Sequence, residues 1–203
     1  MDDMLLTKEQ KDYFYDDSNK RRNGLINPSK LWPDATVVYS IDSALKTPAV
    51  RSVLTAMFYI ESVSCVKFVK RKKQHQNYVT FTNGNICRSS VGMQTGKQQI
   101  NINPEVCNIG NVVHGILHSL GFVHMHTISE RDKFITINWS NIKKSAFINF
   151  KKRSSPTDMF NTPYDFFSIL HYPTNAFAID KKLPTIIAKT TNAQIGPGKC
   201  KYL

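Results

Sequence analysis

Apolar and polar positions along the chain recur with two periods, and these periods predict its elements. Thr36-Val37-Val38-Tyr39-Ser40-Ile41, β-branched and aromatic and introduced by Trp32-Pro33, reads as a strand. From Thr47-Pro48 to Ser64, Val53, Met57 and Ile60 recur at helical spacing with Leu54 and Phe58 beside them, which predicts an amphipathic helix. Cys65-Val66-Lys67-Phe68-Val69 and Tyr78-Val79-Thr80-Phe81 alternate as strands, and Gln99-Ile100-Asn101-Ile102-Asn103 alternates again after breaks at Gly92 and Gly96. A second helix is expected over Asn111–Leu120, with Gly121 at a left-handed stop. Beyond Asn138 the chain is richer in Pro, Asn, Ser and Lys, and a short helix over 139–150 is the one regular element expected there. Residues 1 to about 28 are polar and charged and read as a leader outside the core.

Size changes this picture little. A chain of 203 residues fits one domain, or one domain with a short appendage. Its 41% apolar and 21% charged content is that of a soluble globular protein, and no apolar run approaches the ~18 residues of a membrane span. The net charge of +12 suggests a polyanion partner, but its sources are scattered: Lys20-Arg21-Arg22, Lys70-Arg71-Lys72-Lys73, Lys143-Lys144, Lys151-Lys152-Arg153 and Lys181-Lys182. These clusters read as solvated faces and turns. The first reads equally as a surface loop or a processing site, since it follows the acidic leader. No motif for nucleic acid accompanies the charge, so a polyanion-binding module ranks below the readings that follow.

Four cysteines, Cys65, Cys87, Cys107 and Cys200, form no Cys-x-x-Cys pair and no zinc-ribbon spacing. Two disulfides fit them better, with three pairings open, and disulfides imply an oxidising compartment. The opening Met-Asp-Asp-Met-Leu-Leu-Thr lacks the basic and apolar regions of a signal peptide.

Candidate chemistry concentrates in the histidines. His114 and His118, four apart on the second helix, face the same side and can reach one ion. Alone, such a pair serves packing or hydrogen bonding at least as often. Gly121 and His124 change that reading, because glycine permits a sharp reversal that returns a third imidazole to the same point. Three neutral imidazoles favour zinc and leave a position for water, the arrangement of catalytic sites.

The run His-Gly-Ile-Leu-His-Ser-Leu-Gly-Phe-Val-His over 114–124, with Ser168-Ile169-Leu170-His171-Tyr172 downstream, resembles the astacins, a branch of the metzincin zinc endopeptidases. Leu31-Trp32-Pro33, Cys65, Gly92, Gln98, Glu130-Arg131-Asp132 and Ile137-Asn138 extend the likeness over most of the chain. The resemblance implies an α+β, two-lobed catalytic domain. A twisted mixed sheet with helices forms the N-terminal lobe, and the C-terminal lobe is largely irregular. It implies one Zn2+ per chain held by His114, His118 and His124, with Tyr172 as a switching ligand that stabilises the oxyanion. Leu170 takes the place of the family's Met-turn methionine, a change of similar volume. Cys87 would pair with Cys107, and Cys65 with Cys200. Residues 1–22 resemble the end of a propeptide, in which Asp3 matches the aspartate that caps zinc. The peptidase domain would span 23–203, truncated at its C-terminus relative to the family.

Two departures touch mechanism. The family's general base, the glutamate after the first histidine, is here Gly115. Zinc binding should survive, because that glutamate is no ligand, but loss of a positioned acid or base typically costs about 100- to 10,000-fold in rate. Met125 stands where the family places the glutamate that anchors the mature N-terminus. The expected function is therefore a zinc metalloendopeptidase-family domain with little or no turnover. The alternative is a pseudoprotease that holds a peptide or protein partner without cleaving it. The expected partner is an extended peptide pairing with the strand at Gln99–Ile102, with no nucleic acid or membrane partner. The resemblance further implies a monomer in an extracellular setting, where Asn138-Trp139-Ser140 would match a glycosylation acceptor.

Overall fold

The computed structural model describes residues 3–15, 28–153, 162–191 and 193–196. Its contacts divide the chain into one unit built from Asp2–Leu6 and Leu25–Phe122, and another built from Thr7–Gly24 and Val123–Tyr202.

The first unit is organised by a six-stranded mixed sheet. Its strands are β1 (Met4–Leu5), β2 (Thr36–Ile41), β3 (Lys67–Lys70), β4 (Tyr78–Asn83), β5 (Arg88–Ser90) and β6 (Lys97–Ile102), in the order β1-β5-β6-β4-β2-β3. β2, β3, β4 and β6 run parallel, β5 is antiparallel to β6, and β1 is parallel to β5. The period-two alternation seen in the sequence puts Val37, Val79, Phe81, Ile100 and Ile102 on one face, all buried. Each such side chain removed from water contributes about 1.5–3 kcal/mol. The amphipathic helix Thr47–Val63 buries Val53, Ala56, Met57 and Ile60 as its spacing predicts, and packs beside the histidine-bearing helix Ile109–Ser119.

Two expectations need correction in this unit. Gln99–Ile102 is no open edge, because β6 is hydrogen-bonded to β5 on one side and β4 on the other. The strand beyond it, β5, is Arg88-Ser89-Ser90, too short and too polar for its alternation to stand out. The leader is also not wholly outside the core. Met4 is buried and β1 extends the sheet along β5, with Ser89 N donating to Asp3 O at 2.8 Å. The disulfide implied between Cys87 and Cys107 forms and links the start of β5 to the segment after β6. Cys65 is exposed with no disulfide partner among the described residues, and Cys200 lies outside them.

The second unit starts with α1 (Lys8–Tyr15); the helices of the first unit, Thr47–Val63 and Ile109–Ser119, are α2 and α3. Thr7 and Gln10 cap α1 reciprocally, Thr7 N donating to Gln10 Oε1 and Gln10 N to Thr7 Oγ1, and Gln10 is buried although it belongs to the leader. The rest is largely irregular, as expected. The short helix expected over 139–150 is two 3-10 segments, Trp139–Asn141 and Lys144–Phe150. β7 (Ile135–Ile137) and β8 (Ile186–Ala188) form a two-stranded antiparallel ladder. Ile128, Ile135, Ile142, Phe150, Tyr164, Tyr172 and Ile186 make the core. Polar side chains complete it: Asn141 Nδ2 donates to Asp180 O and Leu183 O, while its Oδ1 accepts from Asp180 N. Arg153, expected on a solvated face, is buried, with its Nε donating to Thr127 Oγ1. Lys20–Arg22 lies outside the described residues. The amide of Asn138 in the glycosylation match donates to Pro184 O.

Candidate metal centre

Helix α3 is fixed at both ends before its histidines matter. Asn108 and Asn111 cap its N-terminus reciprocally. At the other end Gly121 takes φ 104°, its N–H donates to His118 O, and Phe122 N–H donates to Leu117 O. This is the Schellman arrangement that a glycine in the left-handed region allows. Trp32 Nε1 donates to Ser119 O at 2.9 Å and Gly92 N donates to His118 O, so the final carbonyls are also held from outside the helix.

The same turn orients His118. Its Nδ1 lies 2.8 Å from Phe122 O; a carbonyl only accepts, so Nδ1 carries the proton and Nε2 presents its lone pair. His118 is fully buried, and burial pushes its pKa below the ordinary imidazole value, with the nearby Asp3 carboxylate opposing. The neutral, ligand-competent form is thereby favoured. His114 Nε2 lies 2.8 Å from His118 Nε2, one turn away. Asp3 Oδ2 is 2.7 Å from His114 Nε2 and 3.8 Å from His118 Nε2. Asp3 was legible only as a faint propeptide match; pairing of β1 with β5 brings its carboxylate to the histidines.

Gly115, the helix position next to His114, is buried and offers no proton acceptor. A Cβ there would meet Ile100 Cγ2 at 3.3 Å and Ser89 Cβ at 3.8 Å, so a side chain requires the isoleucine methyl to yield by a few tenths of an ångström.

In the second unit His124 is fully buried, and its carbonyl is held by both Thr127 N and Thr127 Oγ1. The Tyr172 ring lies 4.5 Å from the His124 ring and stacks on His126 at 4.1 Å. Met125 N donates to Leu170 O, which ties the turn carrying Tyr172 to the histidine segment. His126 and His171 support this arrangement and had no assigned role in the sequence. His126 Nε2 donates to Asn149 O, and burial, reinforced by His124, pushes its pKa well down. His171 Nδ1 donates to Tyr172 O, leaving Nε2 to accept from Tyr164 Oη. Met125, where the family places a glutamate, packs against the apolar core of its unit, which suits the thioether.

One donor atom from each of Asp3, His114, His118 and His124 lies within 4.8 Å of all the others. Three imidazole nitrogens and a carboxylate oxygen are a donor set suited to zinc, and an Nε2 lone pair fixed by a backbone carbonyl is how a ligand histidine is oriented. Glu130 does not join the group: it pairs with Lys133, while Asp132 pairs with Arg131 and Lys152.

Comparison with known proteins agrees with this chemistry. The model of the Astacin peptidase family matches residues 24–201. Zinc metalloproteinase nas-7 of Caenorhabditis elegans is 34% identical over 178 residues, covering 87% of this chain and 46% of that protein. Zinc metalloproteinase nas-14 of the same species is 31% identical over 200 residues, covering 96% of this chain and 39% of that protein. The chain thus spans less than half the length of these relatives. Among solved structures, High choriolytic enzyme 1, a hatching enzyme zinc-protease from Oryzias latipes, aligns with a TM-score of 0.74 at 30% identity, over 90% of this chain and 88% of that one. The fold, the zinc-type donor group and the match across 24–201 lead to one conclusion: this chain belongs to the astacin family of zinc metallopeptidases.

Proposed function

We propose that this chain is a zinc-binding astacin-family peptidase domain whose turnover of peptide bonds is severely reduced by Gly115. His114, His118 and His124 would hold the metal. The observation that carries the reading is the convergence of the two helix histidines: His118 Nε2, turned to the group by the bond from Nδ1 to Phe122 O, lies 2.8 Å from His114 Nε2, which the Asp3 carboxylate meets at 2.7 Å. Zinc bound there supplies Lewis acidity and a lowered pKa for water. The chain's own residues would do the rest. Tyr172, ring-packed on His124 and His126, would donate its hydroxyl to the oxyanion of the substrate carbonyl. The proton acceptor that the family places after the first histidine is missing, so no side chain at position 115 can carry a proton from water to the leaving amine.

Residues 1–22 act as a leader in this reading. β1 lies along β5 as an added strand, the mode by which an extended peptide is held, and the Asp3 carboxylate stands on the histidines. Removal of the leader would open β5 to an extended peptide or protein substrate. The Cys87–Cys107 disulfide supports an extracellular setting. Gly115 also supports a second reading, a pseudoprotease that keeps the zinc and the peptide groove but only binds.

Zinc content and peptide cleavage decide the matter when measured for the chain as given and for Gly115→Glu, with the leader removed from both. Equal zinc, with cleavage rising at least about 100-fold in the glutamate form, is expected. Efficient zinc-dependent cleavage by the glycine form would overturn impairment. Absence of zinc from both would overturn the metal assignment. Tight peptide binding without cleavage in both would favour the pseudoprotease.

A further inference from the structure

The sheet has a second edge, and its chemistry is unlike that of β5. β3 is the last strand in the order, paired only with β2. Along it and the turn that follows, Lys67, Lys70, Arg71, Lys72 and Lys73 are all exposed, five cations in a seven-residue stretch. Lysine on an edge strand normally discourages sheet-to-sheet association. Here the charge is densest in the turn beyond the strand, where no free edge needs protecting.

The turn is built firmly. Arg71 N donates to Tyr39 O at 2.7 Å, and its guanidinium lies 4.0 Å over the Tyr78 ring. Lys72 N donates to His75 Nδ1, and His75 N donates back to Lys72 O. Backbone and guanidinium are thus held while the lysine ammonium groups point to water. Among the described residues none of the five cations forms an ion pair, in contrast to Lys133 with Glu130 and Lys152 with Asp132. The carboxylate nearest in bonding, Glu61, accepts from Phe68 N and is engaged with the strand backbone.

We propose that this edge and turn bind a sulfated polysaccharide. A strand advances ~3.3 Å per residue, so the cations are strung over at most about 20 Å, a line that suits a linear polyanion with repeated charges. Arginine and lysine together suit sulfate, the first by its fork of donors and the second as a point charge. The Cys87–Cys107 disulfide suits an oxidising compartment, where sulfated sugars are met more readily than nucleic acid. An anionic membrane is a poorer fit, because Val69 is the only large apolar side chain exposed on the stretch.

Binding of a fluorescent heparin dodecasaccharide to the full chain, across a salt series, tests the proposal. Lys70→Ala/Lys72→Ala/Lys73→Ala is compared with Lys143→Ala/Lys144→Ala/Lys181→Ala, which removes the same charge elsewhere, with circular dichroism confirming that both fold. The patch variant should bind at least about 10-fold more weakly, and its log–log salt slope should fall by about one per cation removed. The control should change less than about threefold. Equal losses in the two variants would reduce the effect to diffuse net charge and overturn the proposal, as would unchanged binding in the patch variant. Duplex DNA or phosphatidylserine vesicles bound more tightly than the oligosaccharide would overturn the choice of ligand.

Discussion

The two units bury their interiors by different means. In the first, strand ladders and helices satisfy the backbone, so side chains such as Val79, Phe81 and Ile100 need only be apolar and face inward. In the second, much of the backbone turns irregularly, and buried polar side chains take over the work of the ladder. Arg131 Nη1 donates to His126 O and Phe150 O, Asn141 bonds three backbone groups, and Thr185 Oγ1 donates to Thr174 O and Ala176 O. Buried backbone groups must be paired somewhere, and an irregular fold pairs them with side chains. The histidines inherit this difference: His118 is oriented by a helix-ending turn, whereas His124 and Tyr172 are held by a ring stack and turn hydrogen bonds.

The largest expected effect concerns the metal. His118→Ala should weaken zinc binding by more than the 10- to 100-fold typical of an outer-shell change, measured by competition with a chelator. Unchanged affinity would remove α3 from the metal site. Next, Phe150→Ala should destabilise by about 3–5 kcal/mol and Ile100→Ala by about 2–5 kcal/mol in denaturant titrations. Both are buried, at 0% and 1% exposure, so a mild Phe150 variant would mean that the irregular unit contributes little to global stability.

The acid response sharpens the contrast further. Burial lowers the pKa of His126 and of His171 below the ordinary 6.5. Below that value the unfolded chain binds protons that the folded chain refuses, so stability is fully present above pH ~6.5 and falls as pH drops toward the folded values. The metal-free protein should therefore lose up to about 1.4 kcal/mol per pH unit for each such group. His126→Gln should flatten the slope of thermal midpoint against pH. The smallest effect is expected on the surface: Glu130→Ala, which breaks an exposed pair with Lys133, should shift stability by less than about 1 kcal/mol.

Legibility followed the same division. Strands β2, β4 and β6 and helices α2 and α3 could be read from alternation and helical spacing, because their apolar side chains recur with one period on a face that packs inward. β5 could not, since its three residues are Arg, Ser and Ser, and β1 could not, since a two-residue strand has no period. His114, His118 and His124 were legible because helix geometry and one glycine confine them. His126 and Arg131 act through the backbone carbonyls of Asn149 and Phe150, distant in sequence, for which there is no local pattern.

Sequence by itself determined the family, the spacing of the histidines and a glycine at position 115 that carries no proton acceptor, all properties of residue identity at fixed spacing. The resemblance implied a role for Asp3, but the tertiary structure decided that its carboxylate meets His114, that β5 carries the added strand, and which nitrogen of His118 faces the group. Those three depend on strand pairing and on hydrogen bonds to backbone atoms. Such bonds join groups by position in space, and residue type leaves no trace of them along the chain.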